Sequence, residues 1–242
     1  MKPGTFIVNG VSSEDHKFYI QSRPDIMSPK RRVLLETSFG RDGSIPFDEG
    51  AYDNTSSEWS IVLDGSVKNR HENREILFSM FDSGSYVEIQ HYYDEDKLYY
   101  GMLSDSITYV NKGILGEHQI ATVPLTLKPF KFLVDSPKIV VVKGDDIMNP
   151  TRYNSLPKIK LVGNGDCVIT IGTQTFSITN IQGHIFIDSE LEYLYKESGN
   201  IVINENSKAR SRDYPVLRQG MNSITWTGTF TVEIEPRWRA LV

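Results

Sequence analysis

Lys158-Ile159-Lys160-Leu161-Val162-Gly163-Asn164-Gly165-Asp166-Cys167-Val168-Ile169-Thr170-Ile171-Gly172-Thr173 is two short β-branched runs cut by glycine-containing turns. Within the runs, Ile159 and Leu161, then Cys167, Ile169 and Ile171, recur at a period of two. That is the spacing of a strand with one buried face. Gly163-Asn164-Gly165 reads as a hairpin turn between the runs. Gly172-Thr173 reads as the turn into a further strand over Thr175 to Thr179. His184 to Asp188, Tyr193 to Lys196, Asn200 to Asn204, Asn222 to Trp226 and Thr229 to Glu235 follow at close intervals. Short strands at regular spacing predict a β-sandwich or jelly roll.

Upstream the alternation continues with longer strands. Glu58 to Leu63 is a strand ending at Asp64-Gly65. Tyr86 to His91 and Lys97 to Leu103 flank an acidic tip, Asp94-Glu95-Asp96, as a hairpin. Ile120 to Leu127 and Ile139 to Val142 are further strands. One segment has helical spacing instead, near residues 69–82, with Ile76, Leu77, Met80 and Phe81 on one face. Asn69 can cap it with Glu72 three residues on, and Gly84 follows its end. Turn residues in 135–157 mark a boundary. The predicted fold is therefore mainly β, with an N-terminal β-rich domain carrying one amphipathic helix (1–140) and a C-terminal β-sandwich (141–242).

The composition fits a globular β protein. Hydrophobic residues are 39% and charged residues 24%, with 12 Tyr and 11 Phe. A formal charge of −5 disfavours a dedicated nucleic-acid binder. The single Cys167 rules out an intrachain disulfide and alternates with core positions, so it reads as a small core residue. The opening Met1 to Val8 lacks the apolar run of a signal peptide, and no run is long enough for a membrane helix. The chain reads as soluble and made in the cytoplasm.

Catalytic signatures are missing from the sequence. His16, His71, His91, His118 and His184 show no metal spacing, and there is no nucleophile elbow, phosphate loop or dinucleotide fingerprint. The expected catalytic, cofactor-binding and metal residues are none, and no cofactor is expected. The acidic tip reads as a solvated turn. Tyr92, Tyr93, Tyr99 and Tyr100 beside it suit an interface or two-faced packing equally. The basic loop Lys208 to Asp213 reads as solvated.

Five motifs in order along the chain resemble those of the distal tail proteins of siphophages. They are Gly40-Arg41-Asp42-Gly43; Asn149-Pro150-Thr151; Ser155-Leu156-Pro157-Lys158-Ile159 leading to Gly163-Asn164-Gly165; Ile187-Asp188-Ser189-Glu190; and Leu217-Arg218-Gln219-Gly220-Met221-Asn222-Ser223-Ile224 with the closing Pro236-Arg237-Trp238-Arg239. The resemblance implies a galectin-like C-terminal sandwich and an N-terminal domain of which six copies close into a ring. It implies a structural tail-tip hub, not an enzyme. The ring would join the major tail tube protein to the tail-associated protein and, in many members, to receptor-binding proteins. It implies location in the virion after synthesis in the host bacterial cytoplasm. There would be no membrane contact, and DNA would only pass through the channel. The chain shows neither an arm nor an inserted carbohydrate-binding module. The alternatives are a carbohydrate-binding sandwich with Trp226 or Tyr193 stacking on a sugar, and a tail-associated glycan hydrolase using a carboxylate pair.

Overall fold

The computed structural model describes residues 1–64, 70–112 and 118–242. By its contacts the chain divides into two units, Met1–Lys131 with Leu241–Val242, and Phe132–Ala240. This division by contacts falls at 131/132 and 240/241, and the expected domain boundary at 140/141 is nine residues beyond the first of these.

The first unit is built on β1 (Phe6–Val8), β2 (Val11–Ser12), β3 (Phe18–Ile20), β4 (Arg31–Thr37), β5 (Ser44–Tyr52), β6 (Thr55–Leu63), α1 (Arg70–Phe81), β7 (Val87–His91), β8 (Lys97–Leu103), β9 (Thr108–Lys112) and β10 (His118–Leu127). The main sheet runs β2-β1-β7-β8-β10-β6-β3, and β9 continues along β10. The longest pairing, β6 against β10 from Thr55↔Leu127 to Leu63↔Gln119, is antiparallel and unbroken. Its inward residues alternate: Trp59, Ile61 and Leu63 from β6, and Ala121, Val123, Leu125 and Leu127 from β10. Leu77, Met80 and Phe81 of α1 are buried in the same core, and Ile76 packs against it at partial burial. Helical spacing in the sequence therefore located this face correctly. Asn73, which it did not mark, is also buried. Gly84 adopts the expected positive φ after the helix. Asn69 and Gly65, the expected cap and turn, lie outside the described residues.

The β7–β8 hairpin forms as expected, with Val87↔Gly101 and Ile89↔Tyr99 paired. At its tip Glu95 and Asp96 are exposed, as a solvated turn requires. Asp94 departs from that expectation: it is turned inward and bonded to Lys131 Nζ at 2.8 Å and to the Tyr99 hydroxyl. Asp96 pairs with Lys97, and Glu95 with the N-terminal amine. Each acid of the tip thus meets a cation, which alternation alone cannot reveal because Lys131 and Met1 are distant in sequence. None of the four tyrosines is fully exposed, and Tyr99 is buried.

His91 lies beneath this tip, stacked 3.8 Å from Tyr93 and flanked by Tyr99 and Trp59. Its Nδ1 has no hydrogen-bond partner. Burial pushes the imidazole down to about 4, against the pull of Asp94 and with some help from Lys131. An unfolded histidine titrates near 6.5, so between about 6.5 and 4 the unfolded chain binds the extra proton. Stability is therefore whole above that window and lost as pH falls through it, by up to about 3 kcal/mol. His91→Phe should flatten the pH dependence of unfolding between pH 4 and 6.5, read by denaturant titration at several pH values. An unchanged slope would show that His91 is not its source.

The chain leaves the first unit within β11 (Phe130–Leu133) and returns to it within β22 (Arg239–Leu241). Between them lie β12 (Ile139–Val141), β13 (Asp146–Asn149), β14 (Lys158–Val162), β15 (Gly165–Ile171), β16 (Gln174–Ile181), β17 (His184–Asp188), β18 (Tyr193–Ser198), β19 (Ile201–Asn204), β20 (Gly220–Trp226) and β21 (Thr231–Glu235). They form two antiparallel sheets, β12-β21-β14-β17-β18-β19 and β13-β20-β15-β16. Both sheets feed one core, with Ile159, Leu161, Ile185, Ile187, Val232 and Ile234 on one side and Cys167, Ile169, Ile171, Phe176, Ile178, Ile224 and Trp226 on the other. This is the expected sandwich.

The stretch 158–173 holds one correction. Gly172-Thr173 is a true two-residue hairpin, Ile171 pairing with Gln174, and the positive φ of Gly172 alone suits a type II′ turn. Gly163-Asn164-Gly165 is not a hairpin. β14 pairs with β17 and β21, whereas β15 pairs with β16 and β20, so the chain crosses here from one sheet to the other. Gly163 is required at the crossing because a Cβ there would stand 2.5 Å from Phe230 and 2.8 Å from the Thr229 carbonyl oxygen.

Candidate functional site

The motif residues of the second unit converge through hydrogen bonds. Arg237, at φ +53 after β21, makes a two-pronged contact with Asp188 at the end of β17, both bonds at 2.9 Å. Glu190 and Glu235 lie 3.5 and 3.8 Å from the same guanidinium. Asp188 is almost wholly buried and also accepts from the Glu190 and Leu191 backbone N–H groups. Burial alone would raise its carboxyl, but Arg237 and those amides hold it below the ordinary carboxylate value. Burial likewise disfavours the Arg237 cation, and Asp188 more than offsets that.

Ser155 ties the same corner from the other side. Its buried hydroxyl donates to the Pro236 and Arg237 carbonyls, while its backbone pairs with Leu217 in both directions. Trp238 is buried, with its N–H on Ser136 Oγ, and Arg239 Nε donates to the Asn154 carbonyl at 2.6 Å. Asn149 Nδ2 donates to the Tyr153 and Leu217 carbonyls, and its Oδ1 receives both the N–H and the hydroxyl of Thr151. Asn222 closes the remaining loop. It accepts from Arg218 N–H and donates to the carbonyls of Arg218 and Gly220. Buried polar groups of this kind must be satisfied, and here each is spent on the chain itself.

The arrangement holds a fold together and presents no reacting group. Asp188 is neutralised by Arg237 and sealed from solvent. Cys167 is buried, and burial pushes its thiol up to about 11, so it is not a nucleophile at neutral pH. Among the described residues no group of three or more His, Cys, Asp and Glu could hold a metal ion.

Trp226 is in the core. Tyr193 stacks 5.6 Å from Tyr195, which stacks 5.0 Å from Phe186, along the outer face of the β17–β18 ladder. Lys158 lies over both the Phe186 and Tyr195 rings, and Lys160 over Phe186. The adjoining open hollow of about 270 Å³ is lined by three lysines and three glutamates around Phe186. Lysines thus lie over Phe186 and Tyr195, the two rings that continue the stack from Tyr193.

The sequence located Asp188, Ser155, Asn222 and Arg237 within motifs without showing that they meet. Asp188 and Arg237 are 49 positions apart, and only strand order brings them together. An aspartate ending an otherwise apolar strand was the available signal.

No family model and no curated protein matches the chain. Among solved structures it is similar to the Dit protein of phage SPP1, described as a paradigm of the hub adsorption apparatus in phages infecting Gram-positive hosts. Identity is 14%, with 95% of this chain and 97% of that chain covered at a TM-score of 0.70. It is also similar to a chain of the phage P2 baseplate in its activated, calcium-bound form, at 9% identity, 88% and 90% coverage and a TM-score of 0.48. The first likeness shows that both units share the fold of that hub protein in the same order.

Proposed function

We propose that this chain is a structural hub of a phage tail tip, acting without catalysis. The observation that carries the reading is the fold likeness to the SPP1 hub protein along nearly the whole of both chains. Asn149, Ser155, Asp188, Asn222 and Arg237 of the motifs support it, because their side chains are consumed in buried contacts of the second unit rather than gathered around a cleft. In this reading the second unit is a galectin-like sandwich used as a scaffold. The first unit is the ring former, with six copies closing around the tail channel between the tube protein and the tail-associated protein.

Six chains at −5 each carry about −30, so the ring as a whole repels duplex DNA and lets it pass. The acidic tip Asp94-Glu95-Asp96 contributes less to that field than its sequence suggests, since Lys131, Lys97 and the N-terminal amine neutralise it. The reading is tested by native mass spectrometry of the concentrated protein mixed with its tube protein. Six chains of 27.5 kDa should give a species near 165 kDa for the ring alone. A chain that stays monomeric in every such mixture would contradict it.

A further inference from the structure

The β4–β5 hairpin stands apart from the core of its own unit. Every residue of β4 is exposed, and β5 becomes partly covered only at Ile45 and near its end. Its root is fixed: Arg31 pairs with Asp48 and the Tyr52 hydroxyl, Arg32 with Asp53, and Tyr52 meets Phe130 edge-on at 5.6 Å. Beyond the root, the directly opposed pair Leu34↔Phe47 lies on one face and Leu35↔Pro46 on the other. Phe39 near the tip is fully exposed, and Leu35 is 63% exposed. A two-stranded ribbon is marginal in water by itself, and apolar residues on both faces call for a partner. Nine residues of strand extend roughly 30 Å, long enough to reach a neighbouring molecule.

The same unit carries a matching recess. An open groove of about 320 Å³ between α1 and β9 is lined by Arg74, Glu75, Phe78, Ser106, Ile107 and Tyr109. Phe78 is exposed on the outer side of α1, and Val110 is exposed on β9. Among the described residues β9 pairs only with β10, so its other edge offers free N–H and C=O groups to an added strand. The charges allow one complementary pair as well. The hairpin tip carries Arg41 and the groove carries Glu75, while Arg74 is held over the Tyr109 ring and by Gln119.

We propose that the β4–β5 hairpin of one copy docks in the α1–β9 groove of a second copy. This rests on the hub reading. Ribbon and groove are different surfaces carried by every chain, so the contact is heterologous, and a heterologous contact repeated around an axis gives a ring where the rotation closes and a fibre where it does not. A second copy is the favoured occupant because both halves of the contact, apolar and charged, are present on this one chain.

The test uses Phe39→Cys and Phe78→Cys as separate full-length variants, with native Cys167 buried. Mixed and treated with a short bis-maleimide, they should give a cross-linked dimer in at least tenfold excess over either variant alone. Leu34→Glu with Phe47→Glu should weaken self-association at least tenfold while leaving the melting temperature unchanged, because neither side chain is in the core. Self-association unaffected by the double glutamate variant would overturn the docking and leave the hub reading standing. Cross-linking of Phe39→Cys alone would mean hairpin against hairpin and also overturn it. Capture of the hairpin by a different tail protein, with no link in the mixture, would do the same. A confirmed cross-link within open fibres would uphold the docking and count against the ring.

Discussion

Arg237→Leu should destabilise the second unit by roughly 3–5 kcal/mol, because it leaves the Asp188 carboxylate buried without its cation. Arg237→Lys should recover only part of this, since an ammonium cannot reproduce the two-pronged contact. Asp188→Leu combined with Arg237→Leu should cost clearly less than the sum of the single changes, as removing both charges also removes the desolvation penalty. The two units need not unfold together. The transition should therefore be followed by tryptophan fluorescence, where Trp226 and Trp238 report on the second unit and Trp59 on the first. The pair also gives an acid limit. Asp188 is held below its ordinary value, so its contribution is whole above about pH 4 and is lost as pH falls further. Single substitutions costing under about 1 kcal/mol would remove the pair from the account.

Ending the chain after Gly228 should leave no soluble second unit. The deletion removes β21, which lies between β12 and β14 in the six-stranded sheet, with Ile234 opposite both Ile139 and Ile159. It also removes Val232, Ile234 and Trp238 from the core, and Arg237 from Asp188. Loss of a buried Trp alone costs about 3–5 kcal/mol, of the order of a domain's whole stability. Trp238→Ala in the full chain separates the two effects. It should cost about 3–5 kcal/mol with the sheet intact, measured by denaturant unfolding. A truncated chain with an unaltered melting curve would show that the segment is a loose tail.

The strands, the helix and the sandwich were legible because period-two and helical spacing are local properties of the sequence. Leu77 and Phe81, or Ile169 and Ile171, announce their faces without reference to anything distant. Partnership was not legible. Asn164 sits in what reads as a hairpin turn, yet the sheet assignment of its flanking strands depends on β17, β20 and β21, far along the chain. Asp94 reads as part of a solvated tip because Lys131, which holds it inward, is remote in sequence. The β4–β5 hairpin was visible only as a Gly-Arg-Asp-Gly turn. Its Val33-Leu34-Leu35 run and Phe47 were not singled out in the sequence, and only the structure shows that they face water. The motif residues were found by resemblance, and their role as internal bonding partners came from the geometry of Asp188, Ser155 and Arg237.

The central claim is that this chain is a ring-forming hub of a phage tail tip, and the most direct test is an electron-microscopy reconstruction of a tail tip assembled with it. The account predicts this chain in a closed six-fold ring at the end of the tube, with the first unit around the bore and no continuous basic belt lining it. A tail tip whose ring is built by another protein, with this chain absent from it, would contradict the account.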